Sequence, residues 1–367
     1  MLLFKGPRDQ ILMPLQSVCG IVEKRHTLPI LSNVLMEKDG EDLTLLATDI
    51  EIQIRTSTAA ASADKVALTV GARKLQDILR SLPESTEVML SLDDKRLQIK
   101  AGKSRFNLQT LPAEDFPRMS SADGQAVRIQ PTQGQFKRLL ALVQYSMAQQ
   151  DIRYYLNGLL LVIDGAEMRV VATDGHRLAF ASEALSETMP RSEVILPRKT
   201  ILELSRQLSD NDEPLEIVLT PTQARFSFGN IELVSKLIDG KFPDYERVIP
   251  QQHGKVLVLA RDVLQHSLMR AAILTNEKFR GVRLVLSNDS LKIMSTNAEQ
   301  EEAQEEIEVA YQGDSLDVGF NVTYLLDVLN NVDVDTIECR LADANSSALF
   351  KLPGNERFKY VVMPMRI

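Results

Sequence analysis

Residues 155–180, YLNGLLLVIDGAEMRVVATDGHRLAF, decide the fold because related stretches occur twice more in the chain. In each stretch an apolar segment leads into a turn that carries Asp with Gly or Asn, and a second apolar segment ends in Thr-Asp or Thr-Asn. The related stretches are LPILSNVLMEKDGEDLTLLATDIEIQI at 28–54 and FRGVRLVLSNDSLKIMSTNAEQEEA at 279–303. Apolar segments on both sides of such a turn predict a β-hairpin, so the sequence predicts three related hairpins.

The elements around the hairpins keep the same spacing. The threonines that end them are Thr48, Thr173 and Thr296, so the steps are 125 residues (48 to 173) and 123 residues (173 to 296). Segments with helical apolar spacing precede the hairpins at 8–24, 134–149 and 261–274 and follow them at 72–81, 198–208 and 321–331. Each copy closes on a strand that runs into a proline, in FNLQTLPAEDFP, IELVSKLIDGKFP and FKYVVMP. Four features with one spacing indicate an internal repeat.

The repeat predicts the domain organisation. One copy spans about 120 residues, which is the size of a domain, and three copies fill the 367 residues of the chain. Polar, Gly-containing stretches near 121–126 and 250–255 mark the boundaries. We therefore expect domains at 1–124, 125–252 and 253–367. The predicted fold class is α+β, with two helices in each domain packed on antiparallel sheets.

The composition is that of an ordinary globular protein, with 44% hydrophobic and 25% charged residues. The chain has no apolar run of the ~18 residues that a membrane helix needs, and its start, MLLFKGPRDQ, lacks the features of a signal peptide. Cys19, Cys339 and the four histidines are scattered without the spacing of metal ligands. We therefore expect a cytoplasmic protein with incidental thiols, no metal site and no cofactor.

Positive charge is concentrated in the predicted helices. The whole chain carries a net charge of −8, yet the segments 72–81, 134–149 and 198–208 each carry +2. One explanation is that Lys and Arg form helices well, but Glu has the same propensity and is scarce in these segments. Cations on equivalent helices of an acidic protein favour contact with a polyanion. Without a base-reading motif, such contact would be with phosphates and independent of sequence.

The stretch Asp174-Gly175-His176-Arg177 contains residue types that are common in active sites. No Ser or Cys nucleophile motif lies near it, and the chain has no phosphate-binding Gly-rich motif and no HExxH zinc motif. Because Asp49 and Asn297 occupy the position of Asp174 in the other copies, a turn-forming role is the simpler interpretation. His176 and Arg177 occur in the middle copy alone, as structural residues or as part of a binding pocket.

Longer motifs then resemble one family along nearly the whole chain. AQQDIRYYLNGLL, VATDGHRLA, SKLIDGKFPDYERVIP, AAILTNEKFRGVRL, NAEQEEA, VGFNVTYLLDVL and the terminal YVVMPMRI resemble the sliding clamps, which are the beta subunits of bacterial DNA polymerase III. The departures are the start MLLFKGPRDQ, Lys-Arg-His before TLPIL, and a final Ile in place of Leu. In this family two copies form a closed ring, head to tail, with helices lining a hole for duplex DNA.

The resemblance implies three groups of functional residues and no catalytic residue. The implied DNA contacts are Arg25, Arg73, Gln150, Tyr154, Tyr155, Arg198 and Lys199, although core packing is an alternative role for the two tyrosines. The implied peptide-binding pocket consists of Leu156, Thr173, Gly175, His176, Arg177, Leu178, Pro243, Arg247, Val248, Ser347, Val361, Val362, Met363, Pro364, Met365 and Arg366. The implied dimer contacts are Phe106 and Leu108 of one chain against Ile273 and Leu274 of the other chain.

The resemblance implies a processivity factor that encircles double-stranded DNA. Its partners would be the replicative polymerase, the clamp loader, other polymerases and repair proteins, which insert a short apolar, Gln-containing peptide into the pocket. One alternative is an enzyme that acts on DNA, such as a nuclease or a nucleotidyl transferase, but the chain lacks the clustered carboxylates that would hold two Mg²⁺ ions. A second alternative is a monomeric peptide-binding scaffold that uses the same pocket without DNA.

Overall fold

A computed structural model describes residues 1–23, 28–60, 65–120, 126–251 and 254–367 of the chain. Within these ranges the six α-helices are α1 (Arg8–Cys19), α2 (Ala72–Ser81), α3 (Gln133–Val143), α4 (Arg198–Gln207), α5 (Arg261–Ala271) and α6 (Val322–Asn331). Each helix lies on one of the six segments that the sequence analysis identified. The prediction of two helices in each copy is therefore confirmed.

The strands in the same ranges connect these helices in a repeated order. They are β1 (Leu2–Pro7), β2 (Asn33–Asp39), β3 (Asp42–Thr48), β4 (Ile52–Ala59), β5 (Val66–Gly71), β6 (Glu87–Asp93), β7 (Arg96–Ala101), β8 (Ser104–Leu111), β9 (Val127–Ile129), β10 (Gly158–Thr173), β11 (Arg177–Pro197), β12 (Glu216–Leu219), β13 (Gln223–Phe228), β14 (Ile231–Lys236), β15 (Lys255–Ala260), β16 (Gly281–Ser287), β17 (Ser290–Thr296), β18 (Glu302–Glu308), β19 (Leu316–Asn321), β20 (Thr336–Leu341), β21 (Ala348–Leu352) and β22 (Asn355–Val362). All pairings between these strands are antiparallel, as the sequence predicts.

The helices form because their apolar residues recur at helical spacing. In α2, Leu75 and Leu79 are fully buried while Arg73 and Lys74 face solvent, so one stripe packs inward and the other is charged. Helix α1 packs against α2, and α5 packs against α6. Asn321 caps α6, since its Oδ1 accepts a hydrogen bond of 2.8 Å from the backbone N–H of Thr323.

The chain divides into two compact units. The first unit contains Met1–Gly134 and Leu202–Leu237. Its strands form one sheet of twelve strands in the order β1-β6-β7-β8-β5-β2-β3-β4-β14-β13-β12-β9. The sheet is continuous because β4 of the first copy pairs with β14 of the middle copy.

The second unit contains Gln135–Ile201 and Ile238–Ile367. It has a six-stranded sheet in the order β10-β11-β22-β21-β20-β15 and a four-stranded sheet in the order β18-β17-β16-β19. Here β11 of the middle copy pairs with β22, the last strand of the chain. The middle copy thus contributes strands to both units, which is why compactness does not follow the repeat. The domain boundaries from the sequence stay predictions, and residues 121–125 and 252–253 lie outside the described ranges.

The turn that the sequence predicts at Asp164 and Gly165 takes a different form in the structure. A single strand, β10, runs through both residues, with the backbone of Gly165 at a φ of +59°. The register with β11 shifts on both sides of Gly165. In the first copy, by contrast, β2 and β3 are separate strands that meet at Gly40, which has a φ of +65°. The predicted turn at Asp164 and Gly165 is therefore wrong: Gly165 lies at a register shift within one strand, where a positive φ costs Gly little, and the hairpin turns between β10 and β11 instead.

The core consists mainly of Leu, Ile and Val, as the absence of Trp and the scarcity of aromatic residues predict. Both cysteines are buried. Burial raises the pKa of the Cys19 thiol and of the Cys339 thiol to about 12, so both stay protonated at neutral pH and are poor nucleophiles.

The Thr-Asp turn of the first copy is closed by its own side chains. Thr48 Oγ1 donates to Ile52 O at 2.9 Å and accepts from Ile50 N at 3.0 Å. Asp49 Oδ1 accepts from the N–H groups of Glu51 and Ile52 at 3.0 and 2.8 Å. These bonds hold Ile50 at a φ of +70°, a conformation that is unfavourable for a β-branched residue. The turn is therefore strained at Ile50.

Replacing Ile50 with Asn should relieve this strain. Asn tolerates the left-handed conformation, and Ile50 is 41% exposed, so little burial is lost. We expect Ile50→Asn to raise the free energy of unfolding by about 1 kcal/mol, measured by urea denaturation. Ile152→Asn is the control, because Ile152 is 96% exposed and has no positive φ. Equal effects of the two substitutions would contradict the assignment of strain to Ile50.

Candidate functional site

Asp174 forms the same turn in the middle copy that Asp49 forms in the first. Its Oδ1 accepts from the N–H groups of His176 and Arg177 at 2.9 and 3.1 Å. Thr173 Oγ1 donates to Arg177 O at 2.6 Å and accepts from Gly175 N at 3.1 Å. The carboxylate therefore binds backbone amides, which is a structural role rather than general base catalysis.

The third copy keeps part of this arrangement. Asn297 Oδ1 accepts from Glu299 N at 3.1 Å and from Glu301 N at 2.8 Å. An amide oxygen thus replaces the carboxylate without loss of the turn. A group that must ionise for its function would not tolerate that exchange, so the shared requirement is an acceptor for backbone N–H groups.

Arg177 makes the most extensive set of contacts near this turn. Its side chain is 9% exposed, and its guanidinium donates to Asp174 Oδ2 at 3.1 Å, to Asp327 Oδ2 at 2.5 Å and to Tyr145 O at 2.6 Å. The guanidinium carbon also lies 4.5 Å from the centre of the Tyr324 ring. Arg177 therefore fixes the turn against α6, which carries Tyr324 and Asp327.

The protonation of Arg177 depends on these partners. Burial alone would lower the pKa of the guanidinium, but Tyr360, Asp327 and Asp174 outweigh it and hold the pKa above its ordinary value. Arg177 thus stays charged, and the cation is balanced by two carboxylates within the same unit. A buried cation that lost these partners would be strongly destabilising.

The floor of the predicted pocket is a buried apolar cluster. It contains Leu156, Leu178 and Val361 together with Phe242 and Tyr245. Leu178 and Val361 are partners in the register of β11 with β22, so their side chains lie next to each other on one face of the sheet. The structure thus brings together three residues that are far apart in the sequence.

One wall of the pocket is the segment that enters this cluster. Phe242 and Tyr245 are buried and anchor it in the cluster that contains Leu178, whereas Pro243, Arg247 and Val248 of the same segment are exposed. The Arg247 side chain is 87% exposed, and its Nε lies 2.8 Å from an Asp244 carboxylate oxygen. Exposed apolar and cationic groups next to an apolar floor are typical of a site that binds a peptide.

The end of the chain forms the opposite wall. Arg177 pairs with Val362, and Met363 N donates to His176 O at 2.9 Å. Met365 N then donates to Gly319 O at 2.9 Å, so residues 361–365 are held at both ends. Among the terminal residues, Met363 is 48% exposed, Pro364 and Met365 are half-buried, and Arg366 is exposed. Ser347 immediately precedes β21, whose first residue pairs with Val362.

Sequence reasoning missed several residues that support this pocket. Tyr324 and Asp327 lie one turn apart on α6 and face Arg177, while Tyr145 supplies a carbonyl and an aromatic ring. Arg153 donates to Asp174 O at 3.2 Å and to Asp151, whose pKa its hydrogen bonds lower to about 2. From the sequence, the i, i+3 spacing of Tyr324 and Asp327 indicates that both side chains lie on one face of a helix. It does not indicate that Arg177 is their partner.

The predicted DNA contacts differ in their surroundings. Tyr154 is 58% exposed, whereas Tyr155 is partly buried and packs against the pocket cluster, with its ring 5.9 Å from that of Tyr154. Gln150 is exposed, with a φ of +55°. Lys199 is half-buried in the first turn of α4. Arg25 lies outside the described residues.

Arg73 and Arg198 make equivalent contacts in two copies. The Arg73 guanidinium donates to Val22 O at 2.5 Å, and that of Arg198 donates to Met147 O at 3.2 Å. Both the donors (73 and 198) and the acceptors (22 and 147) are 125 residues apart. Burial, with a smaller effect of Arg177, lowers the pKa of Arg198. Each arginine thus joins the two helical regions of its own copy.

Two of the strands with an edge that the described residues leave unpaired are β8 and β18. β8 pairs with β7 along its length but with β5 only at Thr110 and Leu111. β18 pairs with β17 on one side, and its sequence EAQEEIE is acidic, whereas Lys103 and Arg105 lie at the start of β8. Of the predicted dimer contacts, Ile273 is 77% exposed, and Phe106, Leu108 and Leu274 are half-buried. Exposed strand edges of opposite charge are suited to pairing between two chains.

The described residues contain no cluster of three or more His, Cys, Asp or Glu side chains that could hold a metal ion. None of their helices combines the length and the apolar character needed to cross a membrane.

Comparison with known proteins places this geometry in a family. Three models of the DNA polymerase III beta subunit match the chain in order: the N-terminal domain at residues 2–120, the central domain at 130–244 and the C-terminal domain at 246–366. The beta sliding clamp of Pseudomonas aeruginosa is 47% identical over 366 residues, which are 99% of this chain and 100% of that protein. The beta sliding clamp of Escherichia coli K12 is 44% identical over 365 residues, with the same coverage.

Solved structures agree with these matches. The crystal structure of the DNA polymerase III subunit beta from Pseudomonas aeruginosa superposes with a TM-score of 0.96 at 47% identity, and all of both chains is covered. A Pseudomonas aeruginosa sliding clamp bound to griselimycin superposes with a TM-score of 0.95 at 46% identity, again over all of both chains.

The three-copy fold and these matches define a DNA sliding clamp. Within that class, the chain belongs to the family of bacterial DNA polymerase III beta subunits. Its relatives are processivity factors of DNA replication rather than catalysts. The alternative of an enzyme that acts on DNA is therefore wrong, and Asp174 and His176 need no catalytic role.

Replacing Arg177 with Lys tests the contacts around the turn. A lysine ammonium cannot reproduce the planar set of donors that joins Asp174, Asp327 and Tyr145. We expect Arg177→Lys to lower the free energy of unfolding by about 2 kcal/mol, measured by urea denaturation. Arg247→Lys is the matched control, and we expect a change within about 0.5 kcal/mol because this side chain is largely exposed. A neutral Arg177→Lys variant would show that the network adds no stability.

Proposed function

We propose that two copies of this chain close into a ring around duplex DNA and tether replication proteins through the pocket at residues 173–178 and 361–366. The single observation that supports the pocket most directly is the pairing of β11 with β22, which sets Leu178 beside Val361. That pairing joins the chain end to the Thr-Asp turn and leaves an apolar floor between two partly exposed walls.

Helix geometry supports a ring of two copies. Helices that line a hole about 10 Å apart would give six helices a circumference of about 60 Å and a diameter near 19 Å. That hole is too narrow for hydrated duplex DNA. Twelve helices give roughly 38 Å, which is wide enough. A dimer with six helices in each chain therefore supplies the hole, and two chains are the smallest number that does so.

The ring would close through the unpaired edges of β8 and β18. We propose that β8 of one chain pairs with β18 of the other chain, with Phe106 and Leu108 against Ile273 and Leu274. The acidic side chains of β18 oppose the basic start of β8, which sets the orientation of the pairing. A contact between two different edges is heterologous. Such contacts form a closed ring of two chains if the rotation between the chains is 180°.

DNA contact would be weak and mobile. The proposed contacts are Arg25, Arg73, Gln150, Tyr154, Tyr155, Arg198 and Lys199. Guanidinium groups bind phosphates without reading bases, so the ring can move along the duplex while enclosure retains it. The packing of Tyr155 against the pocket cluster favours a structural role for that residue, whereas Tyr154 is exposed.

The partners would share one binding mode. The replicative polymerase, the clamp loader, other polymerases and repair proteins would each insert a short apolar, Gln-containing peptide into the pocket. Met363 and Met365 suit this role because a Met side chain adapts its shape to related partners. The site of action would be the cytoplasm, where bacterial DNA is replicated.

Retention on DNA tests the enclosure. The protein is loaded by a clamp loader with ATP onto nicked circular DNA, and the amount bound in high salt is measured before and after the circle is linearised. We expect retention on the circle and loss from the linear form, because phosphate contacts alone weaken steeply with salt. Equal loss from both forms would contradict enclosure.

Ile273→Asp serves as the matched variant in the same experiment. A charge at this exposed position should oppose apolar contact between copies, so we expect a monomer in sedimentation and no retention on the circle. A wild-type protein that sediments as a monomer, yet binds peptide, would instead support the monomeric scaffold.

Replacing Met365 with Ala tests the pocket. Met365 is half-buried and its backbone is held to Gly319, so the substitution removes apolar contact without moving the chain end. We expect about tenfold weaker binding of a synthetic peptide of Gln, Leu and Phe residues, measured by fluorescence anisotropy, with an unchanged dimer in sedimentation. Met13→Ala is the control, because Met13 is exposed on α1 of the other unit. Unchanged affinity in Met365→Ala would count against this pocket.

A further inference from the structure

One short segment carries residues of both proposed sites. Gln150 and Tyr154, which are proposed to contact DNA, are exposed. Leu156 lies in the buried cluster that forms the pocket floor, and Tyr155 packs against that cluster. We refer to residues 150–157 as the shared loop. A change in the conformation of the shared loop therefore affects both sites.

Asn157 closes the shared loop on itself. Its Oδ1 accepts from Asp151 N at 2.9 Å, and its Nδ2 donates to Asp151 O at 2.8 Å. Within the loop, Leu156 N donates to Arg153 O at 2.8 Å, and just before it Ala148 N donates to Leu156 O at 3.0 Å. These bonds join the start of the loop to its end, so its residues change conformation together.

The closed loop requires an unfavourable backbone conformation at Gln150. This residue has a φ of +55°, which is uncommon for a residue that has a side chain. Strain of this kind persists only where surrounding contacts hold it. A ligand that binds Gln150 and Tyr154 in this conformation would add to those contacts and favour the closed loop.

Arg153 links the shared loop to the Thr-Asp turn of the middle copy. Its Nε and Nη2 donate to the two carboxylate oxygens of Asp151 at 3.0 and 2.9 Å, which fixes the plane of the guanidinium. Nη2 also donates to Asp174 O at 3.2 Å. A Cβ atom added to Gly175 would lie 2.9 Å from both terminal nitrogens of Arg153. The guanidinium thus packs closely against the backbone of the turn.

The Thr-Asp turn in its turn contacts the end of the chain. The residue after Gly175 is His176, whose carbonyl oxygen accepts from Met363 N at 2.9 Å. A continuous series of contacts therefore runs from the shared loop through Arg153 and Gly175 to the pocket wall at Met363.

This link is specific to the middle copy when it is compared with the first. At the positions 125 residues earlier than Arg153 and Gly175, the first copy has Leu28 and Ile50. A leucine side chain cannot donate hydrogen bonds, so the first copy has the same turn without this link. The Arg153 side chain is 45% exposed, and exposed ion pairs contribute little to stability. Stability alone therefore does not account for the position of Arg153.

We propose that Arg153 is a positioning residue that couples the two sites, so that duplex DNA bound against Gln150 and Tyr154 strengthens peptide binding at the pocket. This inference rests on the proposed DNA-binding and peptide-binding functions. DNA holds the shared loop closed, and the closed loop keeps the Arg153 guanidinium against Gly175. The ordered turn then reduces the ordering cost of binding a peptide. Because such coupling is reciprocal, a bound peptide strengthens the contact with DNA by the same factor.

Peptide affinity with and without DNA measures the coupling. A fluorescein-labelled peptide of Gln, Leu and Phe residues is titrated with the protein, first alone and then with a saturating amount of a short blunt-ended duplex, which can enter the ring from its end. We expect fluorescence anisotropy to show about fivefold tighter peptide binding when the duplex is present. A second fluorophore on the duplex verifies that the protein is saturated with DNA.

The ratio of the two peptide affinities separates coupling from a merely structural role. We expect Arg153→Gln to bring this ratio close to one, because an amide is too short to bind both Asp151 oxygens and Asp174 O. Arg191→Gln is the matched control, since Arg191 also pairs with carboxylates of the same unit and should leave the ratio at the wild-type value. A substitution that only disturbs the pocket changes both affinities alike and leaves the ratio unchanged.

Hydrogen exchange followed by mass spectrometry gives a second readout. We expect the duplex to slow exchange in residues 174–177 and 361–365 of the wild-type protein, because the turn and the chain end become more ordered. The same duplex should leave exchange in these segments unchanged in Arg153→Gln.

The negative results have different meanings. If the duplex leaves the peptide affinity of the wild-type protein unchanged or weakens it, the proposed coupling is wrong and the pocket stands. If the duplex strengthens binding equally in Arg153→Gln, Arg153 has no positioning role. If the peptide or the duplex fails to bind the wild-type protein, the proposed function fails and this inference fails with it.

Discussion

The antiparallel pairing of β11 with β22 is the interaction on which the second unit depends. It runs from the pair of Arg177 and Val362 to the pair of Ala181 and Phe358. One backbone ladder thereby places the end of the chain beside a turn nearly two hundred residues earlier. The pairing of Leu178 with Val361 and the hydrogen bond from Met363 N to His176 O both follow from this register. A shift of β22 by one residue against β11 would turn Val361 to the face opposite Leu178.

Much of this arrangement can be predicted from the sequence because the same pattern of apolar and turn residues occurs three times in the chain. Apolar spacing located the six helices of the described ranges, and the recurrence of Thr and Asp identified Asp174 as a turn former. Neither signal depends on contacts between distant residues. The pairing of β11 with β22 is such a contact, and pattern alone does not specify which strands meet. The pocket residues were therefore reached through family resemblance, and Asp327, Tyr324 and Arg153 were missed because their partners lie on other elements.

The repeat also explains how one copy acquires a function that another lacks. The turn needs only a hydroxyl, a carbonyl-type oxygen and backbone amides, so the remaining positions are free to differ. Where the first copy has Ile52 and Gln53, both buried in its sheet, the middle copy has Arg177 and Leu178. Gln53 Oε1 accepts a hydrogen bond from Met119 N, whereas Leu178 belongs to a buried apolar cluster. The same scaffold thus holds a polar side chain in one unit and an apolar one in the other.

The residue with a positive φ in this turn differs between the two copies. In the middle copy Gly175 occupies the position at +89°, and a side chain there would meet the guanidinium of Arg153. In the first copy Ile50 has the same conformation, with strain that the surrounding hydrogen bonds must overcome. The pocket-bearing copy therefore has the residue that keeps the turn relaxed and leaves room for Arg153 beneath it. Low strain and close packing at Gly175 hold this turn in place, and a peptide bound at the proposed pocket would meet a wall that is already ordered, which reduces the ordering cost of binding.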